Sequence, residues 1–199
     1  AFDWGPTAAA FLLHCGPATA LDYQKDILPI LKERCWNCHS QEKEVKGGLA
    51  LDNLDDMAKV QIGEISLIRP GDPEKSDFLA RLKLDDEDDD FMPKNGKPLR
   101  PSEISKIGQW IKSGAILDET NPTEAELARL EDIKLQNARA GGEEYFSWTS
   151  AEGKAIEARF AGLQGDAVKI VMRNRREFVV PLSKLSPESA ALAKKLGEQ

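Results

Sequence analysis

Five consecutive residues, Cys35-Trp36-Asn37-Cys38-His39, carry the most specific chemistry in this chain. Two thiols two residues apart, followed at once by an imidazole, are the attachment signature for a c-type haem. Two cysteines on one turn reach the two vinyl groups of the ring and form thioethers. The next residue then sets an imidazole on the iron from one face. A covalently held ring needs no large pocket to retain it, so a small domain suffices. Two other chemistries use the same thiol spacing: a dithiol redox pair and half of a zinc site. Zinc needs two more ligands, and the only further Cys or His are Cys15 and His14. A thioredoxin-like pair needs a βαβ setting, which the flanks do not supply. Neither rival requires the histidine. The reading is one haem c held by Cys35 and Cys38, with His39 as an axial ligand.

A second axial position remains, and a thioether sulfur there raises the reduction potential. That methionine must come from a loop that wraps to the far face of the ring. Met92 lies well past His39, within Phe91-Met92-Pro93-Lys94-Asn95-Gly96-Lys97-Pro98-Leu99, where Pro and Gly fix an irregular backbone. The usual fate of a methionine is the core. Met57 sits in a helical pattern and Met172 in a strand pattern, so Met92 is the expected ligand. His14 is a poor candidate if the N-terminus is removed.

The elements that must position these groups read as short helices. Asp22 to Arg34 carries Ile27, Leu28, Ile30 and Leu31 at helical spacing. Pro29 disrupts a helix interior, so the helix is kinked there or its regular part starts just before it. Gly47-Gly48 makes a turn. Asn53 to Ile62 suits a short helix with Leu54, Met57 and Ala58 inward. In Arg69-Pro70-Gly71-Asp72-Pro73, Asp72 can cap a helix and Pro73 suits its first position. Phe78, Leu79 and Leu82 form its apolar face. Six acidic residues follow, Asp85 to Asp90, and such a run is a solvated loop. A docking patch for a basic partner or a weak calcium site are alternatives, although no EF-hand spacing is present. Ser102 can cap a helix that turns Ile104, Ile107, Trp110 and Ile111 inward and stops at Gly114.

Length and charge bound the rest. A chain of 199 residues suits one to two domains, and 41% hydrophobic content allows each half a modest core. A net charge of −7 argues against nucleic acid or an anionic membrane as partner. Residues 21–119 hold 15 Lys and Arg against 21 Asp and Glu, whereas residues 143–199 hold 9 against 8. That imbalance is a first sign of two units. Residues 1–20 read as the tail of a secretory signal, with Phe11-Leu12-Leu13 at the apolar centre and Ala18-Thr19-Ala20 as a cleavage pattern. The apolar run is too short to span a membrane. A lipid anchor at Cys15 is disfavoured by the bulky His14 before it.

Residues 22–117 resemble the planctomycete-type cytochrome c domains. The matching pieces are Asp26-Ile27-Leu28-Pro29-Ile30-Leu31, the Cys35–His39 motif and Gly47-Gly48-Leu49-Ala50-Leu51-Asp52. They continue with Pro70-Gly71-Asp72-Pro73-Glu74-Lys75-Ser76, Met92-Pro93 and Trp110-Ile111-Lys112-Ser113-Gly114-Ala115. The resemblance implies an all-α, class I-like cytochrome c fold with His39 and Met92 as axial ligands. It also implies one-electron transfer rather than catalysis, a redox partner protein, and an extracytoplasmic, periplasmic location, since haem is attached outside the cytoplasm. The acidic run before Met92 departs from the family and bears on partner choice.

Asn121 to Ala140 is charged and helix-friendly, ends at Gly141-Gly142, and reads as a helical linker that could instead pack on either domain. From Glu143 the period becomes two. Strands are expected at Tyr145–Trp148, Ala155–Leu163, Val168–Met172 and Glu177–Pro181, then a short helix capped by Ser186 with Pro187 first. Closely spaced strands in so short a segment suggest a small barrel. This part resembles the SLA-type homology domain, an SH3-like barrel. The resemblance rests on Trp148-Thr149, Gly153-Lys154, Ile156-Glu157-Ala158-Arg159-Phe160 and Val179-Val180-Pro181-Leu182-Ser183-Lys184-Leu185-Ser186. It implies a protein- or peptide-binding module. Arg173, Arg175 and Arg176 form a solvated turn that could meet an acidic partner or the Asp85–Asp90 loop.

The expected organisation is therefore multidomain: a signal remnant (1–20), a haem domain (21–119), a helical linker (120–142) and an SH3-like domain (143–199). Two other functions stay open at this level. An iron left without Met92 would have an open site for peroxidase-like chemistry. Alternatively, the haem would serve a binding or sensory module.

Overall fold

The computed structural model describes residues 21–94 and 96–198. The expected signal remnant, with His14 and Cys15, lies outside the described residues. The chain divides into two compact units between Asn121 and Pro122.

The first unit is helical, with only isolated β-bridges at His39–Val45 and Ile62–Ile68 among the described residues. Its chain enters through a wide turn at Tyr23–Ile27. The buried Asp22 caps that turn, accepting the Lys25 N–H at 2.8 Å. Helix α1 (Leu28–Arg34) starts just before Pro29, so the proline takes an early position where no N–H is needed. Asp22 also accepts the Glu119 N–H at 3.1 Å, which ties the beginning of the unit to its end.

Helix α2 (Leu54–Asp56) opens into a wide turn, Met57–Gln61, closed by the Ile62 N–H on the Met57 carbonyl. The extra residue in that turn changes which side chains face inward. Met57 is fully buried, as expected. Ala58, expected inward, is exposed, and Gln61 and Ile62 are buried in its stead. Asp72 caps a short turn at Pro73–Lys75, and α3 (Asp77–Arg81) follows with Phe78, Leu79 and Leu82 buried.

Helix α4 (Pro101–Lys112) begins ahead of the expected Ser102 cap, because Pro101 occupies the first position. Glu103 closes the turn: its carboxylate accepts the Arg100 N–H at 2.7 Å and the guanidinium at 2.6 Å, and its own N–H donates to the Arg100 carbonyl at 2.9 Å. Ile107, Trp110 and Ile111 are fully buried, while Ile104 is half-buried. Gly114, at a φ of 112°, stops the helix. The core joins Tyr23, Ile27 and Leu31 to Leu51, Met57, Ile107 and Trp110.

The second unit begins with α5 (Glu124–Arg139), the segment read as a linker. Thr123 and Glu126 cap it reciprocally. Leu135 and Ala138 on this helix belong to the core of the β unit, so it is part of that unit rather than a spacer. Four strands, β1 (Tyr145–Thr149), β2 (Ala155–Gln164), β3 (Ala167–Met172) and β4 (Glu177–Pro181), form one antiparallel sheet in sequence order. The four stretches match the expected positions closely. Gly165, at φ 61°, makes the β2–β3 turn, and a bulge between Phe160 and Gly162 bends β2.

The sheet is open. Beyond β4, a turn at Leu182–Lys184 brings Leu185 into a single bridge with Ser150. Two backbone hydrogen bonds flank it, Ser186 N–H to Thr149 O (2.8 Å) and Ala151 N–H to Lys184 O (2.9 Å). A fifth strand cannot extend further, because Ser186 caps α6 (Pro187–Gly197) at once. Trp148, Ala158, Phe160, Val168, Ile170 and Val180 make the core with α5 and α6.

Candidate functional site

The Cys35–His39 motif sits at the end of α1. Cys35 closes that helix, donating its N–H to the Leu31 carbonyl at 2.7 Å. The N–H groups of Cys38 and His39 then both return to the Cys35 carbonyl, at 3.2 and 3.0 Å. The motif is therefore one continuous turn, closed by two N–H groups on the single carbonyl of Cys35. Both thiols are free. Cys35 packs on the helical core, and burial pushes its pKa up to about 11 against the opposing pull of Arg34. Tyr23 lies behind it, donating its hydroxyl to the Leu51 carbonyl at 2.8 Å. Burial foremost, then Cys35 and Asp52, keeps that phenol protonated far into the alkaline range.

His39 is oriented by the loop that follows. The loop folds back through the Lys46 N–H to the Cys38 carbonyl (2.7 Å) and the Leu51 N–H to the His39 carbonyl (2.9 Å). Gly47 and Gly48, at φ of 61° and 73°, permit the reversal. The fold-back sets the Lys46 carbonyl 3.1 Å from His39 Nδ1. A carbonyl only accepts, so Nδ1 carries the proton and Nε2 keeps its lone pair for a metal. A ligating histidine is commonly oriented by this kind of contact.

Cys35, His39 and Met92 line one cavity of about 380 Å³. Its walls are mainly apolar, from Leu49, Leu51, Leu67, Phe78 and Leu82, with Lys46, Asp77 and Arg81 adding charge. Cys38 is half-buried beside the cavity but is not among its lining residues. Met92 is half-buried and packs on the helical core, its N–H held by the Arg81 carbonyl at 3.1 Å. Met57 is spent in the core and Met172 lies in β3 of the other unit, so Met92 is the methionine at the cavity. The donors suit a haem: a thiol, an imidazole nitrogen with a free lone pair, and a thioether, around an apolar interior.

The sequence reading missed Asp77 and Arg81. They stand one turn apart on α3, and that spacing was the available signal. The acidic loop is exposed as expected. Among the described residues no group of three or more His, Cys, Asp or Glu is arranged to hold a metal ion. Among the same residues no helix is long and apolar enough to cross a membrane.

A thiol, an imidazole and a thioether thus line one largely apolar cavity. Residues 35–96 match the family model described as planctomycete cytochrome C, from the first cysteine to just beyond Met92. That segment is similar to the planctomycete-type cytochrome c domains. The family implies haem c, and electron transfer rather than catalysis. No curated protein and no solved structure matches the chain.

Proposed function

We propose that the chain is an extracytoplasmic monohaem cytochrome that passes single electrons, with its β unit serving as a docking module. The observation that carries this reading is the cavity shared by Cys35, His39 and Met92. In it, Cys35 and Cys38 hold one haem through thioethers in a class I-like fold, and His39 and Met92 bind the iron. Bound haem supplies a one-electron iron couple whose potential a methionine ligand raises. The chain's own residues do the rest. The Lys46 carbonyl fixes the ring of His39, and Leu49, Leu51, Phe78 and Leu82 keep water from the interior. The closed turn of the motif holds thiols and imidazole in one register.

The partner would be a redox protein, with a basic one favoured by the acidic helical unit. For the β unit we read an SH3-like module that takes a peptide or protein ligand. Its support is the four-stranded meander and the turn that returns Leu185 to the end of β1.

Three measurements test the proposal. Cys35→Ser with Cys38→Ser should abolish haem that survives denaturation. The oxidised protein should show a methionine-to-iron charge-transfer band that Met92→Ala removes. A high-spin spectrum indifferent to Met92→Ala would instead indicate an open iron site. Removing residues 122–199 should abolish partner binding and leave reduction by small mediators intact.

A further inference from the structure

The acidic run between α3 and Met92 is exposed throughout, yet its far end is tied down. Arg81, the last residue of α3, donates from Nε to Asp77 Oδ2 at 2.7 Å and from Nη1 to Asp90 Oδ1 at 2.9 Å. Its backbone carbonyl accepts the Met92 N–H at 3.1 Å. Asp77 lies one turn back on the same helix, so the guanidinium is fixed to α3 before it reaches the loop. Both ends of residues 82–91 therefore meet at one arginine. Asp77, Arg81 and Met92 all line the cavity.

We propose that Arg81 is a positioning residue for Met92: locked between Asp77 and Asp90, it holds the methionine at the cavity. The proposal rests on the reading of Met92 as an iron ligand. Six consecutive carboxylates repel one another and favour an expanded loop. An expanded loop would carry Met92 away with it. Arg81 opposes this by neutralising the carboxylate nearest the methionine. A planar fork can serve two carboxylates at once, which a lysine ammonium does less well. Exposed ion pairs are individually weak. The clamp therefore biases the population of loop conformers and leaves the fold in place.

Imidazole added to the oxidised holoprotein competes with the thioether, so its apparent affinity reads that population. Arg81→Gln should bind imidazole about fivefold more tightly than wild type and show a weaker methionine-to-iron band. Asp90→Asn should shift both readouts the same way by less. Arg81→Lys should fall between wild type and Arg81→Gln. Asp86→Asn lowers the charge of the run without touching the clamp, and should not tighten imidazole binding. Thermal unfolding of each variant checks the fold, and Asp90, on the exposed loop, gives a variant that still folds if Arg81→Gln does not. Wild-type imidazole affinity and full band intensity in both Arg81→Gln and Asp90→Asn would overturn the clamp alone. A band that is absent in wild type, or that persists in Met92→Ala, overturns the ligand reading and the clamp with it.

Discussion

The two units build their cores on different frames. The helical unit uses short helices and wide turns beside the cavity of Cys35, His39 and Met92. The β unit packs a regular antiparallel sheet against α5 and α6. Each has a fully buried tryptophan whose indole N–H reaches a backbone carbonyl at 2.9 Å: Trp110 to Ile116, and Trp148 to Ala158. Trp110 packs against Tyr23 (5.3 Å between ring centroids), which in turn stands behind Cys35. Trp148 meets Phe146 edge-on.

The sharpest way to break this comparison is to remove the two tryptophans separately. Each change to Ala should cost about 3–5 kcal/mol in its own unit. Trp110→Ala should lower the first unit's unfolding transition and perturb the haem spectrum. Trp148→Ala should lower the other transition and leave the spectrum alone. A single transition that both variants shift equally would mean that the units do not fold separately.

Capping gives a smaller test. Thr123 donates its hydroxyl to Glu126 at 2.9 Å and accepts the Glu126 N–H at 3.2 Å. Thr123→Ala should cost about 1 kcal/mol, and only in the β unit, since α5 packs there. Loss of stability in the helical unit would return α5 to the role of a linker.

The smallest effect concerns acid. Lys106 donates to Asp26 at 2.9 Å, joining α4 to the turn before α1, and this bond holds the Asp26 carboxyl below its ordinary value. A folded-state pKa below the unfolded one adds stability above the ordinary value of 3.8, and that stability is lost as pH falls through the lowered pKa. A third of the Asp26 side chain is exposed, so solvent screens the pair. Asp26→Asn should cost up to about 1 kcal/mol at neutral pH, measured on the helical unit by denaturant titration. The difference should vanish once acid protonates the carboxyl. A difference independent of pH would assign the effect to packing.

Much of this organisation was legible in the residues. The spacing of Cys35, Cys38 and His39 encodes one turn, and the structure returns both later N–H groups to one carbonyl. The change of period after Glu143 marked the strands, and Pro29 and Ser186 marked helix starts. Errors came where a neighbour outweighed a local signal. Ser102 is a good cap residue, but Pro101 and Glu103 moved the cap to Arg100. Ala58 fits an inward helical position, but the wide turn at Met57–Gln61 changed the register.

By itself, the sequence determined the chemistry of the donors, the start of the last helix at Ser186 and the division into a helical and a β half. These signals act over a few residues, through backbone geometry and hydrogen bonds that neighbours in the chain can complete. Tertiary structure decided the rest. It brought Met92 and Arg81 to the cavity of Cys35 and His39, drew α5 onto the sheet, and left that sheet open beyond the Ser150–Leu185 bridge. Each of these depends on which apolar surfaces fit together across long stretches of chain, and no local pattern specifies that fit.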